Sequence, residues 1–302
     1  MSLSEATAAE LSVEGDEITG RWKDAFQRVL ANKAAVAGLV LIAIFVLVGV
    51  FAPLLAPYDP QAQDLSIIRP GVIPGPSADH WLGVDSLGRD LLSRIIYGAR
   101  YSLLVGVASL IIGASLGLLL GGLAGGIGGT VDTVVMRITD MMLAVPGLLF
   151  AIGVAALLGR SLTTVMIAIG VVNIPVFARL LRGSMLAQRN SDYVLAARSI
   201  GVRPSRITLA HVVPNSIAPV LVQGTLALAT AIIEAAGLAY LGLGANDPGI
   251  PEWGRMLAET QSYLQRGPHA AIFPGLAIVI ACLGFNLLGD GLREALDPKF
   301  RR

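Results

Sequence analysis

Long apolar stretches alternate with shorter polar segments along this chain, and the lengths of the apolar stretches set the first prediction. A helix needs about 20 mostly apolar residues to cross a bilayer. Six such helices are predicted, at roughly 34–56, 101–126, 138–159, 161–180, 212–240 and 271–291. The third and fourth almost abut, and Gly159-Arg160 between them predicts a tight turn rather than one very long helix. The predicted fold class is therefore all-α and polytopic. Two polar segments are long, 57–100 and 241–270, and read as folded loops or short re-entrant helices. Their Trp81 and Trp253 are expected at the membrane–water interface, where amphipathic rings settle.

Composition agrees with several spans. Of the 302 residues, 54% are hydrophobic and 14% charged, against about 25% charged in a soluble domain. A net charge of +1 gives no reason to expect nucleic acid as a partner. The lone Cys282 sits inside an apolar run, cannot form an internal disulfide and reads as a small core residue. His80, His211 and His269 lie far apart without ligand spacing, so no metal site is expected. Residues 1–20 carry Glu5, Glu10, Glu14, Asp16 and Glu17 but no Lys or Arg, the opposite of a cleavable signal. They read as a loosely ordered tail.

Basic residues orient the spans, because Lys and Arg accumulate in cytoplasmic segments. With both termini inside, fifteen of the 22 Lys and Arg residues face the cytoplasm. That orientation divides the chain into a cytoplasmic tail (1–33), a first span (34–56), an extracellular loop (57–100) and a multi-span transmembrane core (101–302). The core contains an arginine-rich cytoplasmic loop at 182–211.

Within the spans, Gly113, Gly117, Gly121 and Gly125 recur every four residues and predict a face where another helix packs closely. Pro146 and Pro175 each free a backbone carbonyl inside a predicted span. Arg137 and Asp140 are three apart on one helical face and are expected to pair, as are Asp290 and Arg293. Glu234 lies about 20 residues beyond Pro214, roughly 30 Å along a helix. It is a candidate gate or pathway residue near the external end. The alternative is a hydrogen bond to a neighbouring loop.

No energy source is visible in the chain. A phosphate-binding loop needs a Gly-Lys pair, and the three lysines follow Trp22, Asn32 and Pro298. A proton or sodium relay would need mid-membrane carboxylates, and the candidates are few. The loop at 182–211 instead offers Leu195, Ala196, Ile200 and Val202 beside Arg189, Arg198, Arg203 and Arg206. One apolar side with a charged surround suits a partner's groove. An ordinary basic loop held inside by charge is the competing reading.

Several motifs resemble those of one family. Asp192-Tyr193-Val-Leu-Ala196-Ala197-Arg198-Ser-Ile-Gly201, followed after nine residues by His211-Val-Val-Pro214-Asn215, resembles the cytoplasmic "EAA" loop of ABC-transporter permeases. Leu195 stands where the general pattern has Glu. Gly83-Val-Asp85-Ser-Leu-Gly88-Arg89-Asp90 with Tyr97 to Leu103, Asp132 to Pro146, Tyr240 to Leu257, and Asn286 to Pro298 are similar to the peptide/nickel branch of these importers. The "C" type of subunit is the nearest in pattern. The resemblance implies a type I importer permease fold in the bacterial inner membrane, without catalysis of its own. It implies Asp192, Tyr193, Ala196, Ala197, Arg198, Gly201 and Pro214 as ATPase-coupling positions. It also implies a homologous second permease, two ATP-binding subunits that carry ATP and Mg, and an extracytoplasmic substrate-binding protein. This chain would bind no cofactor. The implied cargo is a di- or oligopeptide, with nickel or another small solute as the alternative and an ion-coupled secondary transporter as a more distant one.

Overall fold

The computed structural model describes residues 24, 26–68 and 72–296. The tail expected at residues 1–20, and Asp297 and Pro298 of the C-terminal motif, lie outside the described residues. Among the described residues the fold is helical, with one isolated bridge between Val84 and Asp90 in place of any sheet.

Helix α1 spans Lys33–Val50, opened by Asn32, whose side chain accepts the amides of Ala34 and Ala35. Helix α2, Leu91–Ile127, starts at Asp90, which accepts the Ser93 amide. Such caps satisfy amides that a helix start leaves free. Then come α3, Gly129–Leu143, α4, Gly147–Leu158, and α5, Leu162–Gln188. A short α6, Asp192–Ser199, precedes α7, Ala218–Tyr240. Another short helix, α8, Trp253–Thr260, precedes α9, His269–Leu296.

Five of these helices, α1, α2, α5, α7 and α9, are long and apolar enough to cross a membrane one by one, and α3 with α4 qualifies as a broken sixth. Contacts fix how they run. The glycine stripe of α2 packs on α5 in ascending register: Gly113 meets Asn173, Gly117 meets Phe177 and Gly125 meets Met185. A Cβ on Gly117 would stand 2.6 Å from the Ile174 carbonyl oxygen, so the close approach expected of the stripe is real. The two helices are therefore parallel, and the chain between them has to return across the bundle. That return is α3 and α4. Helix α7 meets α2 in descending register, Gly106 beside Ile232 and Gly224 beside Leu110. Helix α9 is antiparallel to both α7 and α1, with Gly289 beside Leu226 and Gly291 beside Ala35. The alternation gathers residues 51–90 and 241–268 into a cap at one end of the bundle. Residues 189–217, the start of α1 and the end of α9 share the other end.

Three expectations change in detail. The third span is not one straight helix, because α3 and α4 meet at 91°. Pro146 at the bend has no N–H and drives Val145 away from helical backbone. Pro175, by contrast, sits inside α5 without ending it. The fifth span does not begin at 212. Residues 204–216 form a separate helical hook with a π-helical turn at Ile207–Val212, and α7 opens only at Ala218. Finally, α2 starts ten residues before 101. Its 37 residues reach about 55 Å at 1.5 Å per residue, well beyond the roughly 30 Å hydrocarbon core. Its first turns therefore belong to the cap.

Candidate functional site

Helix α6 and the hook form one projecting unit. Val194 is fully buried among Ile207, Val212, Leu181 and Met185, with Ala197 and Val202 packed against the same cluster. The end of α6 is closed by backbone. The Gly201 amide donates to the Arg198 carbonyl, and the Val202 amide donates to that of Ala197. This pair of bonds is a Schellman closure, which needs a residue at positive φ, and Gly201 has φ 80°. Acidic Asp192 sits in the first turn and basic Arg198 in the last, matching the helix dipole at both ends. The Tyr193 hydroxyl donates to the Gln188 side chain at 2.9 Å.

The other side of the unit is open. Asp192, Tyr193, Ala196, Arg198 and Pro214 are exposed. Ile200 and Leu209 are 80% and 71% exposed, and they flank a groove that Arg203 and Arg206 also line. The hook holds its shape around the missing Pro214 amide. Val213 donates five residues back to Thr208. The side chains of Asn215 and Ser216 donate to the carbonyls of His211 and Val212 at 2.8 and 2.7 Å. Thus six of the seven expected coupling positions are exposed on this unit, and Ala197 turns inward.

The expected ion pairs within single helices do not form. Asp140 pairs across to Arg179 on α5 rather than with Arg137. Asp132 takes a two-pronged contact from Arg182, Nε at 2.8 Å and Nη2 at 2.6 Å. Asp132, Met136 and Asp140 share the α3 face that meets α5, whereas Arg137 lies on the exposed side. Both arginines reach the acidic face of α3 from α5, and Arg182 uses the fork of its guanidinium to hold both oxygens of Asp132. Asp290 and Arg293 are both exposed, and among the described residues no ion pair joins them. The tie at that end is from Asn32 to Glu294, at 2.6 Å.

The cap holds a charged cluster that sequence reasoning did not anticipate. Asp85 Oδ2 accepts from Arg89 Nε at 2.6 Å and Arg94 Nη1 at 2.9 Å. Glu259 Oε2 accepts the other ends of the same two guanidiniums at 2.7 and 2.9 Å, and its Oε1 accepts from Arg255. The Asp85 carboxylate also accepts the amides of Leu87 and Arg89. Burial pushes the Asp85 carboxyl above its ordinary value, and the Arg89 guanidinium opposes that rise. The cluster thereby locks the loop before α2, the start of α2 and α8 together. Glu252 caps α8 through the amides of Gly254 and Arg255. Its burial pushes the carboxyl up, and those two amides oppose it. Trp253, expected at the interface, is instead fully buried. Its Nε1 donates to the Ile95 carbonyl at 3.1 Å, and Phe45 meets its ring edge-on at 5.5 Å. Trp81 does stay exposed. The signal for the cluster was the spacing of Asp85, Arg89 and Arg94, but the partner Glu259 is 165 residues from Arg94.

Glu234 lies on α7 beside the α3–α4 break. A Cβ on Gly147 would stand 4.0 Å from its Oε1, and its Oε2 is buried without a hydrogen-bond partner. The alternative role of bonding a neighbouring loop is thus not what the side chain does here. Cys282 is free and buried, with its Sγ 3.5 Å from the Ala229 carbonyl. Among the described residues no cluster of potential metal ligands occurs.

Crossing helices about a broken pair, with a projecting helix at one end, define a helical membrane-spanning fold. A solved structure of the methionine ABC transporter MetNI in inward-facing conformations shares it, with a TM-score of 0.57 at 17% identity over 68% of this chain and 98% of that one. The family described as binding-protein-dependent transport system inner membrane component matches residues 117–302, and the N-terminal transmembrane domain of oligopeptide transport permease C matches residues 20–70. The chain belongs to the binding-protein-dependent transport system inner membrane component family, and is a multi-pass inner-membrane permease subunit of an ABC importer. It is 45% identical to the dipeptide transport system permease protein DppC of Alkalihalophilus pseudofirmus, over 93% of this chain and 90% of the relative. It is 44% identical to the di/tripeptide permease protein DppC of Pseudomonas aeruginosa, over 92% of each. It is 43% identical to the glutathione permease protein GsiD of Escherichia coli O157:H7, over 96% of this chain and 94% of the relative.

Proposed function

We propose that this chain forms half of a path for di- or oligopeptides, moved by ATP hydrolysed on separate subunits that seat on α6 and the hook. The carrying observation is the projecting unit itself. It is rigidly anchored by Val194, closed at Gly201, and open on a face of Ile200, Leu209, Arg203 and Arg206. A short helix with apolar anchors in a charged surround fits a groove on a partner. Peptide cargo is supported by the names of the relatives, two of which carry di- or tripeptides and one glutathione.

Under this reading the chain has no catalytic activity. ATP and Mg bind two ATPase subunits, a homologous permease supplies the other half of the path, and an extracytoplasmic protein delivers the peptide to the cap. The end bearing α6 faces the cytoplasm. ATP drives the change only through its differential binding to the two states.

Gly201 tests the coupling. Nothing lies within 4 Å of a Cβ placed there, so the first atom of a side chain meets no steric obstacle. It does strain the left-handed backbone, by about 1–2 kcal/mol. Gly201→Trp is expected to abolish peptide uptake and peptide-stimulated ATP hydrolysis in proteoliposomes while the subunit still inserts. Arg198→Glu should cost less, since an exposed ion pair is worth about 0–1 kcal/mol. Near wild-type uptake by Gly201→Trp would remove the projecting unit as the coupling element.

A further inference from the structure

Helix α7 carries a polar stripe in which, among the described residues, only the Thr230 hydroxyl is hydrogen-bonded, donating to the Ala227 carbonyl at 3.1 Å. Gln223, Thr230 and Glu234 are spaced by seven and four residues, which sets them within an arc of about 40° over roughly 17 Å of helix. Thr225 points elsewhere, against Gly289, and donates to the Val222 carbonyl. Thr230 is exposed, while Gln223 and Glu234 are half-buried.

A polar side chain on a membrane-crossing helix faces protein or water, not lipid. Glu234 is the ionisable member of the stripe. One of its carboxylate oxygens is buried without a partner, a costly state for a charge unless something pairs with it. Its surroundings supply no cation. Gly147 and Val172 stand beside it, and α4 has no ionisable residue. On α5 the next cation, Arg179, lies seven residues past Val172, about 10 Å along the helix, and is held by Asp140. On α8, Arg255 is held by Glu259 and by the carbonyls of Ala245 and Asp247.

We infer that this stripe lines the transit path and that the Glu234 carboxylate receives a cationic group of the cargo, the free N-terminal ammonium of a peptide. The site is a transient one. Gln223 and Thr230 offer neutral hydrogen-bonding groups towards the α6 end, and Glu234 marks the stripe's end nearer the cap. The inference rests on the peptide reading above.

The test uses the assembled transporter in nanodiscs and proteoliposomes. A carbodiimide that modifies apolar-site carboxyls is applied, and labelling of the Glu234 peptide is read by mass spectrometry. Millimolar free-amine dipeptide is expected to reduce labelling severalfold, and its N-acetylated form to leave it unchanged. Glu234→Gln should cut uptake of the free-amine dipeptide at least tenfold, and Glu234→Asp should restore part of it, with subunit co-purification intact in both. Labelling indifferent to peptide, or equal protection by both forms, overturns the inference, as does undiminished uptake by Glu234→Gln. A wild-type complex that carries no peptide at all would instead defeat the peptide reading, and this inference with it.

Discussion

Arg94 is 1% exposed and bridges two carboxylates, Asp85 and Glu259, from one guanidinium. Removing a single partner from such a buried group leaves charge uncompensated, at a cost of about 3–5 kcal/mol. Arg94→Met keeps much of the apolar stem and deletes the charge. It is expected to lower the Tm of the purified subunit markedly, while substitution of the exposed Arg137 leaves it nearly unchanged. Equal Tm values for Arg94→Met and wild type would show that the cap cluster does not hold the fold. The difference between these two arginines lies in burial and partners, which the residue type does not reveal.

At the scale of elements, the α2–α5 contact depends on the absence of side chains. A Cβ on Gly117 would press on the Ile174 carbonyl oxygen and Phe177 Cβ, both at 2.6 Å. Backbone oxygen cannot swing aside as a side-chain tip can, so Gly117→Ala should cost about 1–3 kcal/mol of overpacking. Gly153 on α4 has nothing within 4 Å of such a Cβ. Gly153→Ala should be neutral or stabilising by up to about 1 kcal/mol, because alanine is the better helix former. Thermal unfolding of the two variants side by side measures the contrast. If Gly117→Ala were as stable as Gly153→Ala, the close parallel packing would be refuted. The ion pairs from α3 to α5 belong to this scale too. They pin α3 to the helix beyond the break, so the 91° bend is held from both sides.

Across the whole molecule, parallel α2 and α5 place the described ends of the chain together, on the same side as α6. Which compartment that side faces is a matter of charge, and the excess of Lys and Arg there favours the cytoplasm. In a Cys282→Ala background, cysteines at Ser205 and Ala78, both exposed, are expected to react with a membrane-impermeant maleimide from opposite sides. In cells with a permeabilised outer barrier only Ala78→Cys should label. Labelling of both sites before lysis would overturn the orientation.

The number and rough position of the crossings were legible in the sequence because the length of an apolar run is a local property that the bilayer reads directly. The glycine stripe was legible for the same reason, being a pattern on one helix face. The family motifs were visible as strings. What those strings do was decided by tertiary structure. Asp140 chose Arg179 over Arg137, and Arg89 and Arg94 met Glu259 across 170 and 165 residues. Trp253 left the interface for a slot against Gly98, where a Cβ would collide with its ring at 2.5 Å. Pro146 signalled a break, but the angle came from α3 and α4 packing on α5. Partners distant in the chain compete for each charge and each ring, and only the folded geometry settles which one is near enough to win.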